Sequence, residues 1–264
     1  MKCYKIWVRE TTRIRINGVD KEIPIVAGSN VSKEDAAARA GQIARKVELR
    51  IANPDMEFEA YESDIVEHIA REIDPKNIVT INRYGAQVLN TTRYTILDFD
   101  RYRAGFLDLF RPRKGSEKDK IVAKFKQRAA RFPELGDSFR IYETCKGIRV
   151  IGKDYFDPTS VNFYKIMRTL GVDQLYRILC REQNCYRARL TPKPFRMKME
   201  TIKIKSPLDC KSEHYETWRA KYESASQNFS VVKLRECIGR DFGNDPVIQL
   251  HDQTARMGSN DPLA

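Results

Sequence analysis

Long apolar runs are missing from this chain of 264 residues. No stretch approaches the roughly 18 residues that a membrane span needs, so no membrane partner is expected. The N-terminus, Met1-Lys2-Cys3-Tyr4-Lys5-Ile6-Trp7-Val8-Arg9, lacks the apolar centre of a signal peptide. Histidine is scarce. His68, His214 and His251 are the whole set, and none sits in a metal-type pair. The six cysteines, at 3, 145, 180, 185, 210 and 237, include no CxxC. Cys180 and Cys185 flank four residues, a loose spacing for zinc, and no second close pair completes a set. Reduced thiols in a cytoplasmic protein are therefore expected. Internal repeats and low-complexity linkers are also lacking.

What is present is positive charge, unevenly spread. Lys plus Arg number 48 against 36 Asp plus Glu, a formal net charge of +12. Residues 1–100 carry 15 basic and 16 acidic side chains, and residues 201–264 carry 9 of each. Residues 101–200 carry 24 basic and 11 acidic ones, so the middle of the chain holds the surplus. That asymmetry points to a localised anion-binding face. Hydrophobic residues at 41% and aromatics at 10% suffice for a packed core.

Local patterns predict an α+β fold. Its mixed or antiparallel sheet is flanked by helices. Tyr4–Val8 and Thr12–Ile16, the Asn17-Gly18 turn and Glu22–Val26 predict an N-terminal β-hairpin. Ser32 caps a helix over 33–51 that stops at Asn53-Pro54. A second helix is expected over 61–73. Residues 1–76 then form a hairpin and helix region packed on a core of residues 77–264. In the core, strands are expected over 78–81, 87–90, 94–99, 139–143, 148–151, 186–190, 200–204 and 229–234. Helices are expected over 101–110, 118–131, 160–170, 173–181 and 213–225, with a weak terminal helix. Gly171 is the C-cap between the third and fourth of these. The prolines keep residues 191–196 from being helical.

Three segments carry candidate chemistry. In Tyr94-Thr95-Ile96-Leu97-Asp98-Phe99-Asp100, strand alternation puts Asp98 and Asp100 on one side. Paired carboxylates repel unless a cation lies between them, and Mg²⁺ or Mn²⁺ suits that place. Solvated aspartates at a strand end are the plain alternative. In the hairpin Arg140–Val150, Gly147 allows close backbone approach, and Thr144, Lys146 and Arg149 are suitable partners for a triphosphate. An ordinary hairpin with solvated cations explains the same residues. In Tyr186–Arg196, Arg187, Arg189, Lys193 and Arg196 interleave with Tyr186 and Phe195, as in surfaces that contact nucleic-acid backbone and stack on bases. Pairing of Arg189 with a buried acid is the competing account. The cations of helix 118–131 read as a solvated face.

The order of these segments resembles the catalytic core of the archaeo-eukaryotic primase-polymerases over about residues 78–200. The resemblance implies an RRM-like core, a DxD metal pair at Asp98 and Asp100, a nucleotide-binding hairpin at Thr144–Arg149, and basic residues after a third acid. Arg149 stands where that family has histidine, and no aspartate occupies the third acidic place. Glu182 or Glu143 is the nearest substitute. The segments Asn82–Asn90 and Arg187–Pro194 also resemble a family of bacterial proteins with no assigned activity.

The leading functional expectation is a metal-dependent nucleotidyltransferase of primase-polymerase type. Asp98 and Asp100 would hold Mg²⁺ or Mn²⁺, Lys146 and Arg149 a nucleoside triphosphate, and Arg187, Arg189, Lys193 and Arg196 the template or a phosphate. The alternatives are a non-catalytic nucleic-acid-binding accessory of a replication or mobile-element function and a metal-dependent nuclease using Asp98 or Asp100, Glu143 and Lys146. The nuclease ranks last because Glu143 and Lys146 stand one residue too far apart for an ExK motif. The enzymatic readings require the two aspartates to share an open cleft with Arg149 and Arg189.

Overall fold

A computed structural model describes residues 1–16, 19–53, 64–102 and 115–264. The Asn17-Gly18 turn and nearly all of the helix expected over 101–110 lie outside the described residues.

The N-terminal hairpin forms as the alternation predicts. β1 (Ile6–Ile16) pairs antiparallel with β2 (Val19–Ser29), from Ile6 opposite Ser29 to Ile16 opposite Val19. The next element, α1 (Lys33–Ala52), opens where the Ser32 side chain accepts from the Asp35 backbone N–H. Ala36, Ala40 and Ala44 recur every four residues and are buried. Their small side chains let the helix lie close against Val8, Ile23, Ile25 and Ala27 of the hairpin.

Two four-stranded antiparallel sheets follow. The first contains β3 (His68–Asp74), β4 (Asn77–Ile81), β5 (Gln87–Thr91) and β9 (Tyr186–Arg189), in the order β3-β4-β5-β9. The second contains β6 (Thr95–Phe99), β7 (Phe139–Thr144), β8 (Ile148–Gly152) and β10 (Val232–Ile238), in the order β10-β7-β8-β6. The helices are α2 (Glu117–Ala129), α3 (Phe163–Leu170), α4 (Gln174–Gln183), α5 (Glu213–Ser226) and α6 (Pro246–Thr254). The class is thus α+β, with antiparallel sheets, flanking helices and an N-terminal hairpin followed by a helix. No described helix is long and apolar enough to cross a membrane.

Two expected elements differ. Residues 68–74 form a strand, although Ile65, Ile69 and Ile73 sit at helical spacing. The ladder with β4 wins, with register shifts at Ile69/Arg71 and Glu72/Asp74 that absorb the mismatch. The 76/77 junction consequently falls in a turn between paired strands. Residues 200–204 are not a strand. Ile202 and Ile204 instead plug an apolar cluster with Ile81, Met197, Trp218 and Tyr222, between the first sheet and α5.

The second sheet has two unlike faces. Phe99, Phe139, Ile148 and Val150 meet α2, where Phe125 makes edge contacts with Phe99 and Phe139 at centroid distances of 6.1 and 5.2 Å. Asp98, Arg149 and Tyr142 lie in one cross-strand row on the opposite face. There α6 brings His251 to within 5.2 Å of the Tyr142 ring.

Candidate nucleic-acid interface

β6 and β9 are the facing edges of the two sheets. The Tyr176 hydroxyl on α4 sits between them, 3.0 Å from the Ile96 carbonyl oxygen and 3.1 Å from that of Arg187. Arg149 reaches from β8 across β6. Its Nε donates to Asp98 Oδ1 at 2.9 Å and its Nη2 to Asp98 Oδ2 at 3.3 Å. Its Nη1 donates to the Arg189 carbonyl oxygen on β9 at 2.8 Å. The Arg149 side chain is only 4% exposed. Burial works against its charge, and the Asp98 carboxylate outweighs burial and raises its pKa. Arg149 thus fastens the two sheets together, and both oxygens of Asp98 are taken up by it.

Behind this pair lies a polar network that sequence reasoning missed. His251 Nδ1 lies 2.9 Å from Asp252 Oδ1, and its Nε2 lies 3.5 Å from Arg149 Nη1. Arginine can only donate, so Nε2 accepts and the ring is neutral with its proton on Nδ1. Burial and then the Arg149 cation push the His251 pKa down, against the pull of Asp252. Arg140 Nη2 donates to Asp252 Oδ2 at 2.9 Å, and Nε to the Tyr142 hydroxyl at 2.7 Å. Arg140 also bonds to Asp241. The sequence signal was an arginine within an apolar strand, at Arg140 and again at Arg149, which requires a buried partner.

The remaining candidates divide. Arg187 turns inward, with Nη2 on Glu67 Oε2 at 2.5 Å and Nη1 on Gln183 Oε1 at 3.2 Å. Glu143 projects from the face of the second sheet opposite Asp98, since it registers with Ile148 and Phe99. It accepts from Lys118 at 2.7 Å. Glu182 lies nine residues along from Asp173, whose N–H meets the Asp98 carbonyl at 3.3 Å. At 1.5 Å per residue that is about 13 Å away. Neither glutamate completes a three-acid site with Asp98, and no group of three metal-ligating side chains converges among the described residues.

One end of the sheet pair does gather cations. The Thr144–Gly147 turn packs on the end of β6. A Cβ on Gly147 would lie 1.8 Å from the Phe99 carbonyl oxygen. The Thr144 hydroxyl accepts from the Gly147 N–H at 3.0 Å and so shapes the turn, which leaves Lys146 exposed at its tip. The loop after β9, expected to be non-helical, makes a short 3-10 helix at Pro194–Met197, because a proline at the first helical position gives up no needed N–H. Lys193 there is pushed below its ordinary pKa by burial, by Arg189 and Arg196, and by Lys146, with Asp100 opposing. Arg189 is held down to about 10 by burial and by Arg149 and Arg196. Its Nη1 donates to the Thr191 carbonyl oxygen at 2.7 Å, and both Nη atoms approach the Ala264 main-chain oxygen at 3.4–3.5 Å. Phe195 is 60% exposed. The Lys193 Nζ and Arg196 Cζ lie 5.8 and 6.0 Å from its ring centroid. The fold therefore brings Lys146, Arg189, Lys193, Arg196 and Asp100 together. It withdraws Arg149 and Arg187 into internal pairs and holds Glu143 in a partly exposed pair with Lys118 on the opposite face.

No protein-family model, curated protein or solved structure matches the chain.

Proposed function

We propose that this protein binds nucleic acid at the basic end of its sheet pair. Lys146, Lys193 and Arg196 contact backbone phosphates, and Phe195 stacks on a base. The observation that carries this reading is an exposed aromatic ring flanked by two cations, in a cluster where Arg189, Arg196, Lys146 and Asp100 all act electrostatically on Lys193. Burial first and then the neighbouring cations hold Lys193 below its ordinary pKa, and an incoming polyanion relieves that repulsion. A flat ring among them is the platform that single bases stack on. Fluorescence anisotropy with a labelled 20-nucleotide single strand tests it. Affinity should fall steeply with salt, and Lys193→Ala with Arg196→Ala should flatten the log–log slope by about one to two. Binding that ignores salt, or that survives the double substitution unchanged, rejects the reading.

The position of Asp100 among Lys146 and Lys193 favours a second reading, a nucleotidyltransferase using Mg²⁺ or Mn²⁺ and a nucleoside triphosphate. It requires Asp98 to exchange Arg149 for metal, which counts against it. Mn²⁺ with a triphosphate should then raise the melting temperature, and Asp100→Asn should abolish the rise. Asp98→Asn is the poorer test, because it also strands a buried arginine. Metal-dependent shortening of labelled DNA without triphosphate would point to the nuclease instead.

A further inference from the structure

A cleft of about 600 Å³ opens between the first sheet and α5. That volume suits a ligand of nucleoside size. Its chemistry differs from that of the basic end. Glu216 and Glu223 line it together with Arg219 and Arg256, two charges of each sign, and Arg219 lies 2.9 and 3.7 Å from the two carboxylates. Gln87, Gln253 and Thr254 add neutral donors and acceptors. His68 on the same wall is pushed toward neutrality by burial and by Lys211.

The cleft and the basic loop share a wall. Thr191 and Pro192 line the cleft, and Lys193, Pro194, Phe195 and Arg196 follow directly in the chain. The Tyr222 hydroxyl donates to the Pro192 carbonyl oxygen at 2.6 Å and lies 2.7 Å from the Thr191 hydroxyl. This clamps the root of the loop to α5. Phe195 is three residues beyond Pro192, within about 11 Å of it even if the chain is fully extended.

Resting on the nucleic-acid reading, we infer that this cleft is a base pocket: it takes one unstacked nucleobase of a single strand whose phosphates lie on the Lys193–Arg196 loop. The division of labour follows from charge. The cationic loop suits phosphate, while the charge-balanced, amide-lined cleft suits the uncharged hydrogen-bonding edge of a base. A duplex keeps its base edges paired and stacked, so it can reach the loop and not the cleft.

The test compares four labelled probes on the full chain: an intact 20-nucleotide single strand, the same strand with abasic sites throughout, the same strand abasic at one position in turn, and a duplex. The intact strand should bind at least tenfold more tightly than the abasic strand or the duplex, and one abasic position should weaken binding about fivefold. Gln87→Ala with Gln253→Ala should erase that single-position effect while leaving duplex affinity and its salt dependence unchanged. Thr254→Trp, which fills the cleft, should do the same. If the abasic strand binds as well as the intact one, the pocket is not used for a base. If the positional effect survives both cleft variants, the base is read elsewhere and the inference fails while the basic loop stands. If no probe binds with salt dependence, the nucleic-acid reading itself fails.

Discussion

At the scale of single residues, two arginines that the sequence offered as ligands, Arg149 and Arg187, turn out to be structural, and so does Arg140, which the sequence did not single out. Arg140, Arg149 and Arg187 each meet a carboxylate, from Asp252, Asp98 and Glu67 respectively. An arginine so enclosed costs little while its partner is in place and a great deal when the partner is lost. Arg149→Ala should therefore destabilise the fold by about 3–5 kcal/mol, read as a fall in the urea midpoint. It removes the pair with Asp98 and also the bond to the β9 carbonyl. Asp98→Asn alone should cost a comparable amount, whereas Arg149→Met combined with Asp98→Leu should recover much of it. Equal urea midpoints for wild type and Arg149→Ala would show that this pair does not join the sheets.

At the scale of elements, the turn joining β7 to β8 decides where the basic end sits. Gly147 lets that turn rest on the end of β6, because its missing Cβ is the space occupied by the Phe99 carbonyl oxygen. The clash in Gly147→Ala is with backbone, which cannot swing aside as a flexible side chain can. About 1–3 kcal/mol or more of stability should be lost, with a lower melting temperature. Lys146 moves with the turn, so affinity for the single strand should fall as well. A Gly147→Ala protein with wild-type melting and binding would rule out this packing as the anchor. Gly85 makes a related demand on the other sheet. Its φ is +85° and a Cβ there would strike the Trp218 ring.

At the scale of the whole molecule, the surplus of positive charge over residues 101–200 shrinks when followed into the fold. Lys118, Arg140 and Arg149 are spent on carboxylates within it, and among the described residues Lys146, Lys193 and Arg196 form a concentrated basic group. The buried network also sets a pH limit on the entire fold. His251 is neutral in the native state, its pKa pushed below the ordinary value by burial and by Arg149. The unfolded chain takes up the proton first as pH falls, so His251 contributes stability that is complete above about pH 6.5 and lost progressively below it. His68, also lowered by burial, acts in the same direction. Melting temperature should decline between about pH 6.5 and 5, ahead of any carboxylate titration. In His251→Gln that decline should be shallower. Identical pH profiles for the two proteins would contradict a neutral buried His251.

Much of the local structure was legible beforehand. Ser32 as a cap, Gly171 closing α3 at φ +94°, the β7–β8 hairpin and the charge-rich loop after β9 are all set by neighbours within a few positions, where steric and hydrogen-bonding rules act directly. The site was legible only as a set of residues. Which cation remains open to a ligand depends on pairings between distant positions. Asp98 meets Arg149 across 51 residues, and Arg149 meets His251 across 102. Composition and spacing determined that this is an α+β chain carrying a concentrated basic segment. Tertiary structure alone decided that Arg149 and Arg187 face inward while Lys193 and Arg196 stay at the surface, because an isolated charge in the interior must find a partner and only the folded chain brings one within reach.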